Sequence, residues 1–243
     1  VLKTGSEQVI NLYLVAVGKN ENESPALDLN YAKVDAKAFS KAIEDQGKNI
    51  FKKVEIHSLF DRDATRENIL AALEELSGKA RPEDVFMFYY AGHGSMVDNI
   101  FYFIPTENVS LYQQEKLTEE SIPDEMMQEK FKNISALKQL VILDACQSGG
   151  STEVLEQRGA MEEKAMAQLS RSTGVHVLAA AGSEQYATEV ASLGHGLFTY
   201  AILQALEGDA DGAPRDGNVT VYELKAYIND QVPELSKMHK GST

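Results

Sequence analysis

The chain contains one cysteine, Cys146, among its 243 residues, so no disulfide can close within it. That fits a reducing compartment, and the expected location is cytoplasmic. No apolar run approaches the roughly 20 residues that a membrane-crossing helix needs, so no membrane partner is expected. Basic residues are scarce: 23 Lys and Arg stand against 37 Asp and Glu, a net charge of −14. No stretch gathers the basic residues on one face, which argues against nucleic acid as a partner. The acidity serves solubility or, in a second reading, a negative field that attracts cationic peptides. There is no internal repeat, and nothing in the composition marks a second domain, so one domain over residues 1–243 is expected. The chain opens at Val1 with neither a methionine nor a signal-like segment, which reads as a piece of a longer, multidomain protein.

Five short apolar runs, at 9–17, 51–60, 84–90, 140–143 and 175–181, are rich in β-branched and aromatic residues. Near-continuous apolar character suits strands covered on both faces. Ala32, Ala36, Phe39 and Ile43 recur at helical spacing between the first two runs. Thr65 can cap a helix that buries Ile69, Leu73 and Leu76 between the next two. Strand and helix thus alternate as in a mostly parallel, doubly wound α/β sheet. A hairpin is expected over 98–105, an amphipathic helix over 119–133, a helix over 196–206, a short strand at 219–221 and a last helix from about Tyr222. Residues 149–173 are polar with few apolar anchors, the mark of a loosely held or cleavable linker.

Two apolar runs break into small-residue turns that carry reactive side chains. Val85-Phe86-Met87-Phe88-Tyr89-Tyr90 leads into Ala91-Gly92-His93-Gly94, and Val141-Ile142-Leu143-Asp144-Ala145 leads into Cys146-Gln147-Ser148-Gly149. Ligands bind at the carboxyl ends of parallel strands, so a histidine and a thiol delivered there form a nucleophile with its base. A free thiol is only a few per cent thiolate at neutral pH and needs such a partner. Of the other histidines, His57 reads as an exposed strand position, His176 as core or sheet face, and His239 as near-terminal. His195, between Gly194 and Gly196, is the one rival base.

His93 and Cys146 stand 53 residues apart, close to the roughly 50 of caspases. The turn Asp144-Ala145-Cys146-Gln147-Ser148-Gly149 resembles the caspase nucleophile turn, and Tyr90-Ala91-Gly92-His93-Gly94 resembles the histidine turn of the same fold. Segments 29–39, 182–189 and 196–199 are similar to bacterial caspase homologues, so the resemblance spans the chain and is nearest the metacaspase and orthocaspase branch. It implies a three-layer sandwich around a mostly parallel six-stranded sheet. Residues 1–148 would then be large-subunit-like, 149–173 the polar linker, and 174–243 small-subunit-like. The resemblance also implies that the backbone N–H groups of Gly94 and Cys146 form the oxyanion hole. Asp144 stands where caspases carry glutamine and matches the aspartate of the metacaspase specificity pocket; Asp35 falls where the family places a second pocket carboxylate. Two such carboxylates favour Arg or Lys before the cleaved bond.

The expected activity is therefore a cysteine endopeptidase acting on peptides or proteins after basic residues. Two alternatives stay open at this point: a catalytically weak caspase-like module acting as a regulatory or interaction surface, and transpeptidation by the same dyad. Arg158, Lys164 and Arg171 in the linker are candidate self-cleavage sites. No cofactor is expected and no metal ligands are assigned. Many metacaspases respond to calcium near the nucleophile loop, and Glu153 is the one residue that suggests such a site. The acidic stretch from Asp209 to Glu223 fits an EF-hand badly, because Gly212 and Pro214 fall where ligands belong, and reads as an ordinary turn.

Overall fold

The structure is a computed structural model that describes residues 9–21, 28–106, 113–147, 167, 170, 171, 174–180 and 189–239. Its first half alternates strand and helix: β1 (Asn11–Gly18), α1 (Ala32–Gly47), β2 (Lys53–Phe60), α2 (Arg66–Ser77) and β3 (Val85–Val97). There follow β4 (Ile100–Phe103), α3 (Gln114–Glu120), β5 (Ile122–Pro123), α4 (Asp124–Asn133) and β6 (Lys138–Gln147). After the polar stretch come β7 (His176–Ala179), the two-residue strands β8 (Glu189–Val190) and β9 (His195–Gly196), α5 (Leu197–Gln204) and α6 (Val221–His239).

The five apolar runs are the five parallel strands, side by side in the order β2, β1, β3, β6, β7. Antiparallel β4 and β5 extend the sheet to seven strands among the described residues, one more than expected. Strand alternation sends one set of side chains to each face. Val15, Val17, Phe86, Phe88, Tyr90, Val141 and Leu143 pack with Ile69, Leu73 and Leu76 of α2 and with Met127 and Phe131 of α4. On the other face Leu12, Leu14, Tyr89, Leu140 and Ile142 meet Phe39 and Ile43 of α1, Phe198 and Ile202 of α5, and Leu224, Ile228 and Val232 of α6. The result is the expected three-layer α/β sandwich. Gly18 lets β1 and α1 approach closely, since a Cβ there would lie 2.6 Å from the Ala36 Cβ. That approach sets the first turns of α1 against the carboxyl ends of the strands.

Several local expectations change. β3 and β6 do not break before the motif residues: β3 runs through His93 and Gly94 to Val97, and β6 through Cys146 to Gln147, because each still has a paired neighbour to bond. The hairpin turn is Asp98-Asn99, with φ of 49° and 65°, so the hairpin's first strand is the end of β3 itself. The expected helix over 119–133 is interrupted. Pro123 disfavours helical geometry in the residue before it, and Ile122 pairs instead with Phe103. The expected strand at 219–221 is a helix start. The Thr220 hydroxyl accepts from the Glu223 N–H at 3.2 Å while the Glu223 carboxylate accepts from the Thr220 N–H at 2.8 Å, a reciprocal capping box that overrides the β-branched residues. His176 is exposed rather than core, because β7 is an edge strand among the described residues.

Thr65 caps α2 as expected, its hydroxyl accepting from the Asn68 N–H at 3.1 Å. Thr65→Ala is expected to cost about 1 kcal/mol of folding stability. Urea denaturation should show a lower midpoint at an unchanged slope.

Candidate active site

The strand ends converge on one rung, where Gly18 pairs with Ala91 and Ala91 with Asp144. Two residues further along, His93 and Cys146 are register partners on adjacent parallel strands. The sheet thus carries the histidine and the thiol-bearing residue at one level, about 4.8 Å apart across the hydrogen-bonding direction. The backbone of Cys146 is described and its side chain lies outside what the structure describes.

His93 is buried and shares its face of β3 with Tyr89 and Ala91. Its carbonyl accepts from the Tyr90 hydroxyl at 2.7 Å and from the Ile104 N–H at 3.2 Å. The Tyr90 hydroxyl also reaches the Ile104 carbonyl at 3.0 Å, so one buried phenol fastens the histidine segment to the chain leaving β4. Burial pushes the Tyr90 pKa up, which keeps that phenol a donor. Nothing in the sequence pattern marked Tyr90 for this role. Gly94 has a packing reason for lacking a side chain, since a Cβ would fall 2.4 Å from the Phe101 ring.

Asp35 and Asp144 come together although 109 residues separate them in sequence. Both are buried, 3% and 7% exposed. Asp35 takes the Gly196 N–H on Oδ2 at 3.0 Å and holds His195 Nδ1 at 2.5 Å on Oδ1. Asp144 accepts from the Thr199 hydroxyl at 2.5 Å. A Cβ on Gly196 would sit 3.1 Å from Asp35 Oδ2 and 3.4 Å from Asp144 Oδ2, so this position carries a glycine where the two carboxylates approach. Together with Leu29, Ala32, Ala91 and Glu189 they line a narrow cleft, partly open to solvent, of about 10 Å³. Among the described residues that line it there is no Lys or Arg.

Burial pushes Asp35 up to about 7, against the Gly196 N–H that lowers it and with the charge of Glu189 adding to the rise. Burial likewise raises Asp144 to about 7, helped by the Asp35 charge and opposed by Thr199. His195 is held below its ordinary value by burial. This histidine therefore belongs to the carboxylate cleft through Asp35.

Glu189 and Thr199 were legible only as members of family-like segments. Glu189 accepts from the Asn30 and Tyr31 N–H groups, each at 2.9 Å, and from the Asn30 amide at 2.8 Å. It thereby ties the β8–β9 hairpin to the start of α1, the helix that carries Asp35.

Other candidates resolve differently. Arg171 is exposed and helical in backbone, whereas Arg158, Lys164 and Glu153 lie outside the described residues. The acidic stretch near the C-terminus is a turn whose carboxylates bind its own backbone: Asp211 accepts from Asp216 and Gly217, and Glu223 from Gly212 and Thr220. Among the described residues, Glu55, His57 and Glu75 place three ligand-type atoms within 4.8 Å of one another. Lys79 already bridges Glu55 and Glu75, and Lys53 holds Glu55 at 2.5 Å, so the group is a neutralised ion-pair network. His57 is partly buried there, not exposed as expected.

The family model described as the caspase domain matches residues 15–241. The chain belongs to the caspase-domain family. That membership makes it a cysteine peptidase in general type. A search of curated proteins found no match. Among solved structures, a crystal structure of a Geobacter sulfurreducens protein is similar in fold, with a TM-score of 0.56 at 14% identity, covering 90% of this chain and 88% of that one. No described helix is long and apolar enough to cross a membrane.

The raised carboxyls make stability depend on pH. A group whose folded pKa of about 7 exceeds its ordinary 3.8 binds more protons folded than unfolded, so it contributes stability below about pH 4 that is lost as pH rises through about 7. Asp144→Asn, which keeps an acceptor for Thr199 but cannot ionise, should melt above wild type at pH 8. The gap should close towards pH 4. Equal melting differences at both ends of the range would show that Asp144 carries no buried charge.

Proposed function

We propose that this caspase-domain protein is an endopeptidase that cuts after Arg and Lys through His93 and Cys146. The observation that carries the specificity is the cleft in which Asp35, Asp144 and Glu189 meet without a lysine or arginine among its described lining residues. Buried carboxylates with no fixed cation strongly favour a guanidinium or ammonium and disfavour an acidic side chain.

In this reading His93 takes the proton of the Cys146 thiol and the thiolate attacks the scissile carbonyl. The tetrahedral oxyanion accepts the Gly94 and Cys146 N–H groups, and each such donor contributes roughly 3–4 kcal/mol of transition-state stabilisation. The C–N bond then breaks as the imidazolium returns its proton to the leaving amine. Water, deprotonated by His93, hydrolyses the thioester. The register pairing of His93 with Cys146 supports this division of roles.

A fluorogenic peptide panel that varies only the residue before the bond tests the reading. Arg and Lys peptides should be cut and Asp peptides left intact, with all activity lost in Cys146→Ala and in His93→Ala. Asp144→Ala should lose at least about tenfold in kcat/KM on Arg, the worth of one charged hydrogen bond. Cleavage after Asp would refute the pocket assignment, and turnover by either dyad mutant would reassign the nucleophile or its base.

The same specificity bears on maturation. Arg158, Lys164 and Arg171 follow the nucleophile in a polar stretch, and Arg171 is exposed. Exposed, weakly anchored segments are where proteolysis concentrates. Intact-mass measurement should find fragments ending at one of these residues in wild type and none in Cys146→Ala; a single intact species in both, under conditions where wild type digests peptides, would show that the enzyme works as one chain.

A further inference from the structure

The cleft contains a second tier of contacts that never faces the substrate. Tyr89 is fully buried, and its ring is stacked on Phe39 with centroids 4.6 Å apart and planes 18° from parallel. Its hydroxyl lies 2.6 Å from Thr199 Oγ1, which in turn lies 2.5 Å from Asp144 Oδ2. Thr199 itself has no exposed surface. A hydroxyl has one proton to give and two lone pairs. Facing a carboxylate, the Thr199 proton goes to Asp144, and Thr199 then accepts the Tyr89 proton. The chain therefore runs in one direction, Tyr89 to Thr199 to Asp144, whenever Asp144 is charged.

We propose that Thr199, oriented by Tyr89, is the positioning residue of the basic-side-chain pocket: its hydroxyl fixes the Asp144 side chain and holds it as a carboxylate ready for the incoming cation. This rests on the reading that the cleft takes Arg or Lys. The surroundings leave Thr199 this task. Among the described residues the charged groups acting on Asp144 are Asp35 on α1 and Glu189 on β8; Tyr89 on β3 touches it through Thr199, and His195 on β9 is engaged with Asp35. Burial, Asp35 and Glu189 all oppose charge on Asp144, while the Thr199 hydroxyl and N–H favour it. Thr199 is the third residue of α5, so its N–H is one of the donors a helix leaves unpaired at its start. Hydroxyl and N–H thus serve one carboxylate from one residue.

The test compares Thr199→Val, which keeps shape but loses the hydroxyl, with Thr199→Ser, which keeps it, and with Tyr89→Phe. With Arg peptides at pH 7, Thr199→Val should lose on the order of tenfold in kcat/KM, chiefly through KM. Its acid limb should move to higher pH, so that the loss shrinks by pH 9. Thr199→Ser should recover near-wild-type values, and Tyr89→Phe should fall between. A role confined to capping α5 would lower melting temperature without moving the pH profile.

A second measurement needs no turnover. The ¹³C-carboxyl signal of Asp144 in the Cys146→Ala protein should titrate at a higher pH when Thr199→Val is added. Wild-type cleavage after Arg with an unmoved KM and pH profile in Thr199→Val would overturn the inference and leave the pocket reading intact. If wild type cuts no basic peptide, the pocket reading falls, and the carboxyl titration alone decides: a shifted midpoint supports the Thr199–Asp144 coupling, and an unshifted one overturns it.

Discussion

Everything at the candidate site depends on the parallel pairing of β3 with β6. Ten register pairs run from Val85 with Lys138 to Gly94 with Gln147. That ladder carries His93 and Cys146 to one level and sets Asp144 beside Ala91, two residues short of them. Side chains alternate strictly along a strand, so a slip of one residue would turn every group to the opposite face. The ladder is difficult to slip because both of its faces are packed, with Phe86, Phe88, Val141 and Leu143 on one side and Tyr89, Leu140 and Ile142 on the other. Spacing at the chemistry is thus set by apolar side chains that do not enter it.

The features legible in the sequence were those in which one physical signal dominated. Near-continuous apolar runs located the parallel strands, and the Ala32, Ala36, Phe39, Ile43 spacing located α1, because burial on both faces leaves little else at those positions. Strand ends were less legible. Small residues at Ala91–Gly94 read as a turn, yet in the fold they continue the ladder, where glycine at 94 makes room for the Phe101 ring. A local pattern does not reveal which ring will arrive from the next strand. Val219 and Val221 misled for the opposite reason: their β-branched character was outweighed by a capping box between Thr220 and Glu223, visible as a Thr-x-x-Glu pattern.

At the site, Asp35 and Asp144 could be named from the resemblance, but what surrounds them could not. Glu189 acts by receiving N–H groups from the turn before α1, and Thr199 by touching a carboxylate 55 residues earlier. Neither residue type is unusual where it stands. Their roles emerge only when the β8–β9 hairpin folds over the start of α1, which makes the pocket a joint product of the chain before and after the polar stretch. Its two central carboxyls are also a local disadvantage to folding at neutral pH, since burial raises both towards neutrality. In the proposed reading, a cationic side chain entering the cleft would relieve that disadvantage.

The ion-pair network on β2 bears on what the molecule does among its neighbours. Among the described residues β2 is the outer strand on its side of the sheet, and a bare strand edge invites pairing with any other chain. Lys53, Glu55 and His57 stand along it, with Lys79 reaching over from beyond α2 to grip Glu55. A foreign strand laid against this margin would have to strip water from several charges already satisfied among themselves. In a crowded solution that makes β2 a poor template for aggregation, and a sheet this apolar can remain seven strands wide.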